Sequence, residues 1–181
     1  MKKYLFLPAA LLVLFAFVFT TSPAFAAESL SIQKLLFADE IMGLGQYTPR
    51  SGARFTLDDE CWVYIEVANF AMPLTPNTQD EYNIDLAVDV RIKLPQSGRQ
   101  LTAQPDITKL TTRMRTKLPT QFLSFGFSFE GWTPGNYALE IRVRDNLGGQ
   151  AAVQDLLLQV AEPTEADIRA RQEREAQQQK Q

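Results

Sequence analysis

Apolar residues recur at every second position through most of this chain, the spacing of a β-strand with one buried and one wet face. Residues 82–94 show it most clearly. Tyr82, Ile84, Leu86, Val88, Val90, Ile92 and Leu94 are apolar, and Asn83, Asp85, Asp89, Arg91 and Lys93 lie between them. Residues 95–98 then read Pro-Gln-Ser-Gly, a turn, with a new strand starting at Gln100. The same alternation predicts strands over residues 31–37, 61–70, 122–129, 137–144 and 151–160. Their inward sets are Cys61, Val63, Ile65 and Val67; Leu123, Phe125, Phe127 and Phe129; Tyr137, Leu139, Ile141 and Val143; and Leu156, Leu158 and Val160. Leu157 breaks the alternation, as a bulge or a sheet edge does. Residues 145–149, Asp-Asn-Leu-Gly-Gly, make a hairpin loop. Residues 104–120 fit two periods. Ile107, Leu110, Met114 and Leu118 have helical spacing, whereas the abundance of Thr favours an extended strand. About seven strands separated by Gly/Pro turns predict an all-β domain, an immunoglobulin-like antiparallel β-sandwich over residues 27–161.

Both ends of the chain leave this pattern. Met1-Lys2-Lys3 is a short positive segment, residues 5–19 are apolar apart from Pro8, and Ala24-Phe25-Ala26 is a small-x-small cleavage pattern. Together they read as a secretory signal peptide cut after Ala26, which predicts a periplasmic or secreted protein. The apolar stretch is shorter than the roughly 20 residues of a membrane span, and no later stretch approaches that length, so no span is expected in the mature chain. Residues 162–181 are charged and Gln-rich, with Ile168 as the one large apolar residue. Thr164 and Asp167 have capping-box-like spacing, which allows a helix over residues 165–178, but one apolar residue cannot dock it on a core, so the segment reads as a solvated tail, helical or partly disordered.

Composition narrows the chemistry. The chain has 181 residues and contains no His and one Cys, Cys61. That excludes an imidazole base, a Ser-His-Asp or Cys-His triad, His-ligated zinc and an internal disulfide. The formal charge of −3 becomes −5 once Lys2 and Lys3 leave with the leader, which argues against nucleic acid or anionic lipid as a partner. Cys61 reads as a small buried hydrophobe at a strand start.

Pro134-Gly135-Asn136-Tyr137-Ala138-Leu139, continuing to Asp145, resembles the penultimate strand of immunoglobulin-like and fibronectin type III-like sandwiches. In those domains a Tyr early in this strand turns its hydroxyl back to the backbone two residues before a core position. The resemblance assigns that role to Tyr137, with Gly135 at the corner and Leu139 where antibody domains carry Cys. A longer likeness joins Gly43-Leu44-Gly45-Gln46-Tyr47, Phe55 and residues 64–70, Tyr-Ile-Glu-Val-Ala-Asn-Phe, to that strand. Over most of residues 33–160 the chain is similar to a family of uncharacterised exported bacterial proteins. That similarity implies one domain and no particular chemistry.

Candidate contacts follow from the alternation. Trp62, Tyr64 and Glu66 fall on the face opposite Val63 and Ile65. If that face is open, two aromatics beside a carboxylate stack on a sugar ring or a partner side chain. The alternatives are that residues 43–53, with Tyr47, cover them, or that this face is the buried one. Two loops are expected to carry partner contacts, residues 43–53 and residues 71–81, and the second has Met72, Pro73, Leu74 and Pro76, an apolar surface of the kind that marks interfaces. Lys109, Arg113, Arg115 and Lys117 form a basic run that suits an acidic partner or equally a charged edge strand. Asp58-Asp59-Glu60, with Asp80-Glu81, lacks the spacing of a calcium loop and reads as a solvated turn. Gly43-x-Gly45 lacks the context of a dinucleotide loop and reads as a turn. Trp132 sits where a corner needs plugging. The expected function is therefore a non-enzymatic interaction or envelope-associated module whose partner is another envelope or secreted protein, with no cofactor and no metal. Carbohydrate binding through Trp62 and Tyr64 is the alternative, and a carboxylate-only hydrolase comes third.

Overall fold

The computed structural model describes residues 28–76 and 80–178. The predicted leader with its cleavage site at Ala26, residues 77–79 of the predicted contact loop, and residues 179–181 lie outside the described residues. Among the described residues nine strands pack as two sheets: β1 (Ser31–Gly43), β2 (Gln46–Pro49), β3 (Arg54–Thr56), β4 (Glu60–Ala68), β5 (Tyr82–Lys93), β6 (Gln100–Met114), β7 (Thr120–Ser128), β8 (Gly135–Asp145) and β9 (Gln150–Ala161). One sheet has the order β2-β1-β4-β7 and the other β3-β9-β8-β5-β6. All the ladders are antiparallel except β3 with β9. With β1, β4 and β7 as strands A, B and E, and β5, β6, β8 and β9 as C, C′, F and G, this is an immunoglobulin-like sandwich with C′ beside C.

The inward sets read from alternation form the core. Val63, Ile65 and Val67 of β4, Leu86 and Val88 of β5, and Ile141 and Val143 of β8 are fully buried. Cys61 is buried among them, and desolvation pushes its thiol up to about 12, so it stays protonated and unreactive in the folded protein. An aromatic chain crosses between the sheets. Phe37 meets Phe55 at 4.9 Å, Phe55 meets Phe129 at 4.7 Å, Phe129 meets Trp132 at 5.3 Å, and Trp132 meets Tyr137 at 4.8 Å.

Three elements differ from the alternation in instructive ways. β1 runs six residues past Phe37 because a register shift between Ala38 and Glu40 puts two acidic residues in succession and hides the period. β2 and β3, of four and three residues, fall in what reads as loop, so the strands number nine rather than about seven. The ambiguous segment is strand up to Met114. Its inward positions opposite Val88 and Ile84 are Thr108 and Thr112, so the apolar residues left visible, Ile107, Leu110 and Met114, mimic a helix. Leu157 marks no bulge. β9 pairs with β8 in unbroken register, and β3 covers only Gln159 to Ala161, so Leu157 stands 61% exposed on the outer face of a strand that is terminal at that point.

Beyond β9, helix α1 spans Glu165–Gln178. The Asp167 carboxylate accepts from the Thr164 N–H and hydroxyl, each at 2.8 Å, and the Asp167 N–H donates back to Thr164 Oγ1 at 3.3 Å. Arg54 of β3 donates to the same carboxylate at 3.3 Å, which anchors the helix start to the sandwich. These bonds, the Thr164 N–H foremost, hold the Asp167 carboxyl down at about 2. Among the described residues no helix is long and apolar enough to cross a membrane.

The Tyr137 hydroxyl donates to the Thr133 carbonyl at 2.6 Å, four residues upstream, and its ring is buried against Trp132. Tyr137→Phe therefore leaves that carbonyl without its partner while the ring packing persists. Urea denaturation should show a loss of about 1–2 kcal/mol with unchanged far-UV circular dichroism.

Candidate functional site

The outer face of the four-stranded sheet carries the predicted aromatic pair, and the two residues meet different fates. Trp62 is 48% exposed and lies against Gly126 of β7, where an added Cβ would come within 3.3 Å of the indole. A shallow depression of about 340 Å³ opens beside it, lined by Glu60, Cys61, Gly126, Phe127 and Ser128. Tyr64 is fully covered, as in the alternative that residues 43–53 with Tyr47 lie over it, so no open two-ring platform forms. The β1–β2 hairpin folds back across it, with Tyr47 stacked on Tyr64 at 4.3 Å and the Gly45 N–H donating to the Tyr64 hydroxyl at 2.9 Å. Gly45 reaches this position at φ +69°, a left-handed conformation glycine adopts freely. The Tyr64 hydroxyl donates in turn to Glu66 at 3.1 Å, and Glu66 pairs with Lys34 at 3.8 Å. This carboxylate supports a covered tyrosine instead of flanking a stacking surface.

The outer face of the five-stranded sheet is a lattice of ion pairs. Arg144 of β8 donates from Nε to Asp89 Oδ2 at 2.9 Å and from Nη2 to Asp89 Oδ1 at 3.2 Å, and it also bonds Asp106. Asp106 sits at φ +54° in the β6 bulge, gives its N–H to Asp89 at 3.0 Å, and takes Lys109 at 2.9 Å. Glu140 bonds Lys93 and, at 2.9 Å, Arg91. Burial raises the Asp89 carboxyl, but the Asp106 N–H and Arg144 outweigh it, so the group titrates below its ordinary 3.8. Lys93 foremost holds Glu140 below its ordinary 4.5. Two carboxylates do meet here, but around a guanidinium on a sheet face and not across a cleft.

This lattice also locates the basic run. Lys109 is taken up by Asp106. Arg113 stands exposed on β6, the terminal strand of its sheet, while Arg115 and Lys117 lie in the exposed link to β7. Lys117 rests 5.2 Å from the Tyr82 ring centre. The four therefore form no single patch, and a charged edge strand describes Lys109 and Arg113 best.

The predicted contact loop splits as well. Met72 does not face solvent as expected. It is half-buried against the core, and its sulfur accepts from the Leu118 N–H at 3.3 Å. Leu74 is 57% exposed. The loop is held to the β8–β9 turn by Asp145, a buried carboxylate that accepts from the N–H groups of Ala71 at 2.6 Å, Gly148 at 2.9 Å and Leu147 at 3.1 Å. At Gly148 a Cβ would run into that carboxylate and come within 3.1 Å of the Ala71 methyl. Leu147, at the turn, is 42% exposed. Alternation placed Asp145 only in a hairpin turn. The missed signal was an acidic residue ending a buried strand, where a carboxylate survives by collecting backbone donors. Among the described residues no group of three or more acidic or Cys side chains is placed to hold a metal ion. Asp59 accepts from the Thr56 N–H at 2.8 Å and pairs with Arg50 at 3.3 Å, both structural contacts.

No family model and no curated protein matches the chain. Among solved structures, a CARDB domain from Pyrococcus furiosus, crystallised in complex with di-metal ions, is similar at 14% identity over 74% of this chain and 93% of that one, with a TM-score of 0.30.

Because Asp89 and Glu140 titrate below their unfolded values, their contribution to stability is complete above those values and is lost as pH falls through the lowered folded ones. Urea midpoints measured from neutral pH into acid should be flat and then fall. Arg144→Gln should lower the neutral plateau and make the acid fall shallower; an unaltered acid limb would show that Arg144 does not depress Asp89.

Proposed function

We propose that this chain is an exported, non-enzymatic interaction module that engages another envelope or secreted protein through the end of the sandwich formed by residues 71–76, 80–81 and 146–149. The observation that carries this reading is the Asp145 clamp. It fixes two loops to each other through three backbone bonds, and those loops present Leu74 and Leu147 to solvent. Apolar side chains held out on pinned loops cost hydration and add nothing to the core, whereas loops positioned on a rigid sandwich are where binding residues concentrate. The leader pattern of residues 1–26 supports export, and the absence of His from the sequence supports a role without acid–base catalysis near neutral pH.

Crosslinking pull-down from an envelope extract should enrich a specific partner. Leu74→Asp combined with Leu147→Ser should abolish the enrichment while leaving the thermal midpoint unchanged, since neither side chain is buried. Replacing the whole loop would be a poorer test, because Met72 packs against the core. An empty pull-down, or a partner indifferent to both substitutions, would refute this assignment.

A second reading, carbohydrate binding, rests on Trp62 alone, with its depression and the neighbouring Glu60 and Ser128. One ring gives a weaker platform than two. On this reading a glycan array gives signals that Trp62→Ala removes; signals unchanged by Trp62→Ala eliminate it.

A further inference from the structure

The sheet ends of this sandwich are guarded unequally. β2 is four residues long, has register shifts and ends in Pro49. β6 carries Pro105, a bulge at Asp106, Lys109 and Arg113. β9 has β3 on part of its length and Asp155 on the rest. Short strands, bulges, Pro and charge are the devices that keep edges from pairing with other chains. β7 has none of them. It is nine residues long, Thr-Gln-Phe-Leu-Ser-Phe-Gly-Phe-Ser, without charge or Pro, in unbroken register with β4, and it ends its sheet.

The free side of β7 is also self-complementary. The Phe122 N–H donates to the Gln121 side chain at 2.9 Å, so it points away from β4. By alternation the N–H and C=O groups of Thr120, Ser124, Gly126 and Ser128 share that direction. An antiparallel pair centred on Ser124 sets Ser124 against Ser124, Phe122 against Gly126 and Thr120 against Ser128. Every pair that exchanges backbone hydrogen bonds then belongs to the edge-facing set. Five residues on each strand give about ten backbone hydrogen bonds, in line with a typical interface. Phe122 would stand opposite Gly126 of the second copy, against the edge of the half-exposed Trp62 indole that covers that glycine. The flanks match in charge. Lys117 precedes β7 and Glu130 follows it, both exposed, and the two-fold relation brings each beside the other.

We propose that the occupant of this edge is a second copy of the chain, joined β7 to β7 in an antiparallel two-fold dimer that extends the four-stranded sheet across both copies. This goes beyond partner binding at the loop end and does not depend on it. A partner's extended strand is the competing occupant, but it has no stated match to the Lys117 and Glu130 flanks.

Sedimentation velocity on the full chain tests it. A monomer–dimer equilibrium should appear with rising concentration, and the amides of Ser124, Gly126 and Ser128 should gain hydrogen-exchange protection in step with it. Ser124→Pro removes the central donor on both strands but no bond to β4, and should give a monomer with unchanged circular dichroism. Glu130→Lys and Lys117→Glu should each weaken the dimer severalfold, and combining them should restore it. That pair of exposed substitutions keeps the test valid even if Ser124→Pro unfolds. A chain that stays monomeric, a dimer that survives Ser124→Pro, or charge reversals that fail to compensate would overturn the proposal.

Discussion

The aromatic chain from Phe37 through Phe55, Phe129 and Trp132 to Tyr137 is the interaction on which the rest of the sandwich depends. Its members come from β1, β3, the β7–β8 link, which supplies both Phe129 and Trp132, and β8, so it ties both sheets together at one end. Edge-to-face ring pairs add about 0.5–1.5 kcal/mol each beyond their burial. The chain ends on Tyr137, whose hydroxyl donates to the Thr133 carbonyl. This sets where β8 begins, and therefore its register with β5 and β9. At its other end β8 finishes in Asp145, which gathers three N–H groups from two loops. A single strand thus carries the corner at one pole and the loop clamp at the other.

Fold class and most strands were legible because one face of each strand is buried and period two records that directly. Legibility failed where local geometry changed the period. The shift after Ala38 hid the end of β1. In β6, Thr108 and Thr112 fill inward sites and leave a residual apolar spacing that looks helical. β2 and β3 are too short for a period to register at all. The corner at Tyr137 was readable because a turn, a Gly and a Tyr at fixed spacing serve one geometric purpose.

The candidate surface was less legible, since a sequence period assigns a residue to a face but not to solvent. Trp62 and Tyr64 share a face, yet the hairpin covers one and leaves the other half-exposed. Met72 and Leu74 share a loop, yet one packs half-buried against the core. Both outcomes depend on elements distant in sequence: Gly45 and Tyr47 for the first, Leu118 for the second. The four basic residues were equally misleading as a group, because Asp106 enters from a bulge to take up Lys109.

What the surface can offer a partner follows from this partition. The outer face of the five-stranded sheet has Arg144, Lys93, Arg91 and Lys109 engaged with Asp89, Glu140 and Asp106, so little charge is left there to steer or bind. Contact energy must come from apolar burial and backbone bonds. Burying a leucine side chain contributes roughly 1.5–3 kcal/mol, so Leu74 and Leu147 supply at most about 6 kcal/mol before the cost of association. Micromolar binding requires about 8 kcal/mol net. The two leucines can therefore be only the centre of a contact, and its remaining strength has to come from neighbouring groups. The Leu118–Met72 bond brings the start of β7 to the same end of the sandwich. Because that edge is assigned to a second copy of the chain, what completes the contact at the loop end has to come from the polar and backbone groups of the two clamped loops themselves.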